Sequence, residues 1–155
     1  MNEPTKIAAG VNFLRRVEDL DDLAKVLFPG NPRHQYSCAV ILFVLKWSDS
    51  VVVDLGRCVG AQGVTKRVFE RTRAKMHRLG IIDHVSRFSR RHGHCDGWVL
   101  STKFQASLEL LAQQVRAIKE KKDGKQREKD EFAINLLRPG EPCDTLPFEA
   151  LRHEP

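Results

Sequence analysis

The sequence has few cysteines and no long apolar run. No Cys-x-x-Cys pair links the four cysteines, which removes the usual signature of a zinc ribbon or a thioredoxin-like site. The longest apolar run, Cys38 to Leu45, has eight residues, whereas a membrane-spanning helix needs roughly 20. The N-terminus lacks the basic and apolar segments of a secretory signal. These absences predict a cytoplasmic protein with no membrane anchor.

Catalytic motifs are missing as well. The sequence contains no glycine-rich phosphate loop, no nucleophile elbow and no His-Glu-x-x-His pattern, so we expect neither an enzyme nor a cofactor. His92, His94 and Cys95 crowd one predicted turn without a second ligand pair at normal zinc spacing. A metal site there and a redox switch through Cys58 or Cys95 stay open as alternatives.

Positive charge is concentrated in one stretch of the chain. The 155 residues carry a net charge of +6, with 41% hydrophobic and 30% charged residues, a composition typical of a globular protein with a core. The stretch from Arg57 to Arg91 contains ten basic residues and two acidic ones. Its net positive charge is therefore larger than that of the whole chain. Such clustering predicts a polyanionic partner, because neutralised phosphates release counterions and thereby add affinity.

Hydrophobic periodicity predicts a series of helices. Val11–Phe28 has the apolar spacing of one amphipathic helix, and His34–Trp47 is nearly all apolar and long enough for a buried helix. Val51–Val59 predicts a short helix. Val64–Leu79 predicts a basic amphipathic helix that Gly80 ends.

A hairpin and a long helix follow. Segments 84–88 and 97–100 are predicted strands, joined by the polar tip SRRHGHCDG, and a last helix is predicted from Lys103 to about Lys122. Residues 119–131 are almost wholly charged and predict a solvated linker or frayed helix, and residues 132–155 predict an extended or partly disordered tail. We therefore expect a domain at 1–118, which includes an N-terminal helix and a C-terminal dimerisation helix, and a linker with tail at 119–155.

The ordered series of motifs resembles a known class of regulators. Asp54-Leu55-Gly56-Arg57-Cys58-Val59-Gly60, then Val64-Thr65-Lys66-Arg67-Val68 and Met76-His77-Arg78-Leu79-Gly80-Ile81-Ile82 are similar to the helix-turn-helix of winged-helix regulators of the MarR and ArsR sort. Trp98-Val99-Leu100-Ser101-Thr102-Lys103 is similar to the strand and helix start after the wing. The resemblance covers about residues 35–118. It implies a mainly α winged helix-turn-helix with a small β-hairpin wing, flanked by N- and C-terminal helices, and sequence-specific binding of double-stranded DNA by a transcriptional regulator.

Helix-turn-helix geometry assigns roles to the basic residues. The N-terminal residues of the second helix approach base edges in the major groove, and flanking cations hold phosphates. Helix 64–79 would read bases, with Arg78 as a further phosphate candidate, and wing 84–100 would reach phosphates or the minor groove, with His92 as a further candidate. The predicted DNA-binding residues are Gln62, Thr65, Lys66, Arg67, Arg71, Arg73, Lys75, Arg87, Arg90 and Arg91.

Surplus apolar surface predicts a homodimer. The last helix carries a stripe from Phe104 through Leu108, Leu111 and Val115 to Ile118, beyond what a three-helix core needs, and two-fold symmetry would let two helices read two half-sites. Two alternatives share the fold: a winged-helix protein-interaction module, and a component of a DNA replication or plasmid-maintenance complex. The identity of any small-molecule effector is open.

Overall fold

The computed structural model describes residues 6–90 and 93–139, apart from the side chains at positions 87 and 89. This part of the chain contains seven helices and one two-stranded antiparallel sheet, which confirms the prediction of a mainly α protein with a small β-hairpin. The helices are α1 Val11–Leu14, α2 Leu20–Leu27, α3 Pro32–Lys46, α4 Leu55–Gly60, α5 Lys66–Leu79, α6 Lys103–Glu120 and α7 Gly124–Leu136, and the strands are β1 Ile82–Ser89 and β2 Gly93–Leu100.

The prediction of one helix over Val11–Phe28 is wrong. The chain forms the short α1 and then α2, which begins after Asp19. The Asp19 carboxylate accepts a hydrogen bond of 2.8 Å from the backbone N–H of Asp22, so this residue caps a new helix and leaves the helical conformation itself. Apolar spacing alone cannot show that interruption.

The central helix α3 begins at a capping residue followed by a proline. Asn31 caps it, and Pro32 occupies its first turn, where a missing N–H costs nothing. The predicted helix over 34–47 is confirmed. Its side chains supply much of the core, which α2, α4, α5 and the start of β1 complete; the buried members from α3 are Cys38, Ile41, Leu42 and Leu45.

The short helix predicted over Val51–Val59 begins later than expected. Asp54 caps α4 by accepting a 2.9 Å hydrogen bond from the N–H of Arg57, and the preceding valines are not helical. Val52 forms an isolated antiparallel bridge with Trp98, in hydrogen bonds of 3.1 and 2.9 Å. The β-branched residues therefore do what their propensity favours, pairing with a strand far along the sequence.

Helix α5 and the hairpin follow directly. α5 ends as predicted at Gly80, which has a φ of 78°, a left-handed conformation suited to glycine. The two strands pair from Ile82↔Leu100 to Ser89↔Gly93. The hairpin is longer than predicted, and most of the expected tip is strand. A strand that is exposed on both sides lacks the alternation of apolar and polar residues that marks a half-buried strand. The polar residues of the predicted tip therefore have the sequence pattern of a turn.

The charged segment is more helical than predicted. α7 covers Gly124–Leu136. Of the two alternatives predicted for residues 119–131, the helix is the one that residues 124–131 adopt, and the prediction of an extended tail is wrong for residues 132–136. Asp123 caps α7 with a 2.7 Å hydrogen bond from the N–H of Gln126, and Arg127 pairs with Glu131 one turn later, contacts that favour a helix in a charged sequence. The rest of the predicted tail, residues 140–155, lies outside the described residues.

The chain divides into two compact units between Ser107 and Leu108. The N-terminal unit holds α1–α5, the hairpin and the start of α6, and it contains all of the buried core. The second unit holds the rest of α6 and α7, in which no residue is buried. Within the described ranges, no helix has the length and apolar character needed to cross a membrane.

Candidate nucleic-acid interface

Helices α4 and α5 are joined by a short turn and held by core contacts. Between them, the turn 61–65 places Gly63 at a φ of 79° and buries Val64. The Tyr36 hydroxyl of α3 donates a 2.9 Å hydrogen bond to the carbonyl of Gln62. On α5 itself, Phe69 and Met76 are buried against the core. The start of α5 is thus positioned by packing on one side and by a hydrogen bond at the turn.

The outer face of α5 is basic and solvent-exposed. The helix has six basic residues and one acidic residue, Glu70. Lys66, Arg67 and Arg71 are exposed, and none forms an ion pair with an acidic side chain in the part of the chain that the structure describes. These cations are free to meet an anionic partner.

The N-terminus of α5 adds donors to this face. Thr65 occupies the N-cap position, yet its hydroxyl makes no capping hydrogen bond, so it is available to a ligand. Gln62 is also exposed, in the turn just before it. Unpaired backbone N–H groups at a helix N-terminus attract anions. The structure therefore brings Gln62, Thr65, Lys66 and Arg67 together at one end of α5, as predicted from the sequence.

The Lys75 side chain contacts the protein itself and does not belong to the exposed basic face of α5. Its ammonium donates to the carbonyl of Lys6 at 2.6 Å and to that of Leu27, and it lies 4.5 Å from the centre of the Phe28 ring. Burial lowers the pKa of this ammonium. Position 75 lies about one helical turn after buried Thr72. This spacing indicates that the aliphatic part of the Lys75 side chain lies on the buried side of α5. Lys75 therefore holds N-terminal segments onto α5.

Arg73 is likewise turned toward the fold. Its guanidinium lies 5.0 Å from the centre of the Trp98 ring and 5.6 Å from that of Phe69, within the range of cation–π contact. Trp98 also meets the edges of His77 and His84, at 5.7 and 5.0 Å between ring centres. Arg73 thus ties α5 to the hairpin. Sequence reasoning missed Trp98 as this anchor, although it noted the residue in the return strand.

A second contact fixes the base of the hairpin. Asp83 of β1 pairs with Lys103 at 2.7 Å and accepts a 3.0 Å hydrogen bond from the Ser101 hydroxyl. The hydrogen bond from Lys103 is the main cause of a lowered pKa for the Asp83 carboxyl. Among the predicted wing cations, Arg90 is exposed at the turn. The Arg87 side chain, Arg91 and His92 lie outside the described part of the structure.

The residues considered for metal binding do not converge in the described ranges. His94 Nε2 lies 2.8 Å from the Ser86 hydroxyl and 3.1 Å from the Asp96 carboxylate. Among described residues, three or more ligand-type side chains come within metal-binding distance of one another only at the acidic start of α2. That group caps a helix and pairs with Lys25, which accounts for its position without an ion.

The chain matches no protein-family model, no curated protein and no solved structure. The resemblance to MarR and ArsR regulators therefore stays a prediction from sequence motifs. Function is inferred from the side chains of α5 and the hairpin, because a fold alone does not determine function.

Proposed function

We propose that this protein is a winged helix-turn-helix transcriptional regulator that binds double-stranded DNA. The observation that carries the proposal is the exposed, unpaired set Lys66, Arg67 and Arg71 at the start of α5. In a helix-turn-helix, this end of the second helix enters the major groove. Exposed cations are common on protein surfaces, and what supports DNA binding is their position at the end of the helix that would face the groove.

The order of the elements supports a winged helix. A helix, a single paired residue, two helices and a hairpin follow one another as α3, Val52, α4, α5 and β1–β2. Val52 adds a short third strand position beside Trp98 of β2, and Arg73 of α5 lies over the Trp98 ring, which holds the hairpin next to α5. In a winged helix, a hairpin that follows the second helix would contact DNA that occupies the outer face of α5.

The side chains divide by role under this proposal. Thr65, Lys66 and Arg67 approach base edges, where an arginine can bind a guanine through two hydrogen bonds. Arg71 and Arg78 contact phosphates, which position the protein without reading sequence. Arg90 extends the positive surface to the hairpin turn. Arg73 and Lys75, whose charges are used within the fold, are left out of the interface.

The proposal predicts salt-dependent DNA binding that requires the start of α5. We expect wild-type protein to bind a fluorescein-labelled duplex, and we expect the affinity to fall linearly with salt concentration on logarithmic axes. Replacing Lys66, Arg67 and Arg71 together by alanine should weaken binding roughly 100-fold and reduce the salt slope by about one, because Arg71 is the phosphate contact among the three. Fluorescence anisotropy across a salt series measures both quantities.

Two controls separate this surface from general positive charge. Lys125→Ala with Lys129→Ala removes exposed charge from α7, and Lys75→Met removes a charge from α5 that the fold already uses. Both variants should keep most of the affinity and nearly the same salt slope. Equal losses in all variants, or no binding of wild type at low salt, would refute the proposal. A wild-type protein that does not bind DNA at low salt would favour a protein-interaction module.

We also propose that the regulator is a homodimer. The apolar stripe on the second unit's part of α6 repeats at three and four residues, and it is exposed: Leu108, Leu111, Val115 and Ile118. A helix that buries nothing is marginal in water, and a second copy of the stripe offers the matching surface. Sedimentation of wild type should show a dimer at micromolar concentration, and Leu111→Glu with Val115→Glu should give a monomer. A wild-type monomer would contradict this proposal.

A further inference from the structure

The hairpin ends in an aromatic side chain that nothing covers. Phe88 is 77% exposed, the highest value among the exposed large hydrophobic residues of the N-terminal unit. It belongs to the last but one cross-strand pair, opposite His94, so no apolar neighbour stands beside it across the hairpin. At the other end, Ile82 is fully buried. The strand therefore starts in the core and carries the phenyl ring about 20 Å away from it.

The sequence around Phe88 is polar and basic. Arg87 precedes it, and Arg90 and Arg91 follow within three residues. The acidic residue on the same face, Asp96, lies two cross-strand pairs nearer the core. A hydrogen bond from Ser86 and the charge of His94 lower the pKa of its carboxyl, and His94 lies 3.1 Å from it. An exposed phenyl ring next to a turn where Arg90 is exposed is suited to a partner with both phosphates and flat apolar surfaces.

We propose that Phe88 is a wedge that enters the DNA minor groove and inserts between two neighbouring base pairs. This inference rests on the proposed DNA-binding function. Apolar side chains that insert in this way unstack a base step and kink the duplex toward the major groove. Arg90, which is exposed at the adjoining turn, meets the phosphates that line the groove, and pyrimidine–purine steps, which unstack most easily, are the preferred sites.

Insertion from the hairpin also explains why the ring stands at its end. The minor groove is about 6 Å wide, so a single ring that projects from the hairpin can reach its floor, where the two-stranded hairpin itself does not fit. The base of the hairpin is held by Trp98 and by the pair between Asp83 and Lys103. Because its base is fixed, the hairpin can hold Phe88 between base pairs while α5 stays in the adjacent major groove.

The test uses full-length protein and a duplex in which 2-aminopurine replaces adenine at several TA steps. Binding is measured by anisotropy, unstacking by the rise in 2-aminopurine fluorescence, and bending by energy transfer between dyes at the two ends. We expect wild type to give all three signals. Phe88→Ala should bind about tenfold more weakly and lose both the fluorescence rise and the bend. Phe88→Leu should retain them, because leucine also serves as a wedge.

The outcomes separate this inference from the proposed function. If wild type does not bind the duplex, the DNA-binding function itself is refuted. If wild type binds but Phe88→Ala gives the same bend and fluorescence, the wedge is refuted and the function stands. If Phe88→Leu loses the signals along with Phe88→Ala, the ring stacks on an extruded or single-stranded base, which also overturns the wedge. Matching melting temperatures for the variants show that folding is intact.

Discussion

Gly97→Ala is expected to destabilise the N-terminal unit by roughly 3 kcal/mol, because the new methyl group overlaps backbone and costs two hydrogen bonds. An alanine Cβ at this position would lie 2.6 Å from the carbonyl oxygen of Val52 and in overlap with the Val51 side chain. Side chains can rotate away, but the Val52 backbone is held in its bridge to Trp98. The bridge must open to admit the methyl group, and the hairpin then loses its attachment beside α5.

Urea unfolding monitored by circular dichroism measures this effect. Gly60→Ala is the matched control, because Gly60 is helical and its added Cβ would meet nothing within 4 Å. That variant should be as stable as wild type or slightly more stable, since alanine has less backbone entropy to lose on folding. A Gly97→Ala protein with wild-type stability would show that the bridge does not hold the hairpin. DNA binding by this variant should weaken with the displaced wing.

The hairpin shows where sequence analysis stops. The apolar spacing of Val64–Leu79, the glycine that follows it and the strand pattern after that were enough to predict a helix, a stop at Gly80 and a following hairpin. The pairing of Val52 with Trp98 was not predicted, because spacing within a window cannot show a partner so far along the chain. Three consecutive valines favoured a strand by propensity, but the apolar spacing that included Leu55 favoured a helix and gave the wrong start.

The basic residues of α5 show the same limit at the level of single side chains. A helical projection correctly separates the exposed Arg67 and Arg71 from the buried side. It does not show that Arg73 finds an indole ring or that Lys75 finds two carbonyl oxygens. Those partners come from the hairpin and from the N-terminal segments. The role of a residue at the border of a buried face therefore depends on which side chains and carbonyls the neighbouring elements bring to it, and the helix sequence alone does not show these.

Ile41→Ala is expected to cost about 2–5 kcal/mol of stability, because it leaves a cavity among packed neighbours. Ile41 is fully buried in α3, in the core shared with α2, α4 and α5. Phe43 is two residues away on the same helix, and it is 56% exposed. Phe43→Ala removes more carbon atoms, yet it should cost less than about 1 kcal/mol, the usual size of a change at an exposed site.

Both variants are compared with wild type by urea unfolding, with the slope against urea as a check on the unfolded state. The comparison tests burial itself, because the sequence around α3 is apolar on nearly every side and gives no sign of which residue is inside. α2 and α5 supply that information by covering one face of the helix. A larger loss for Phe43→Ala than for Ile41→Ala would mean that the outer face of α3 is covered in solution. Concentration dependence of that loss would identify a second copy as the cover.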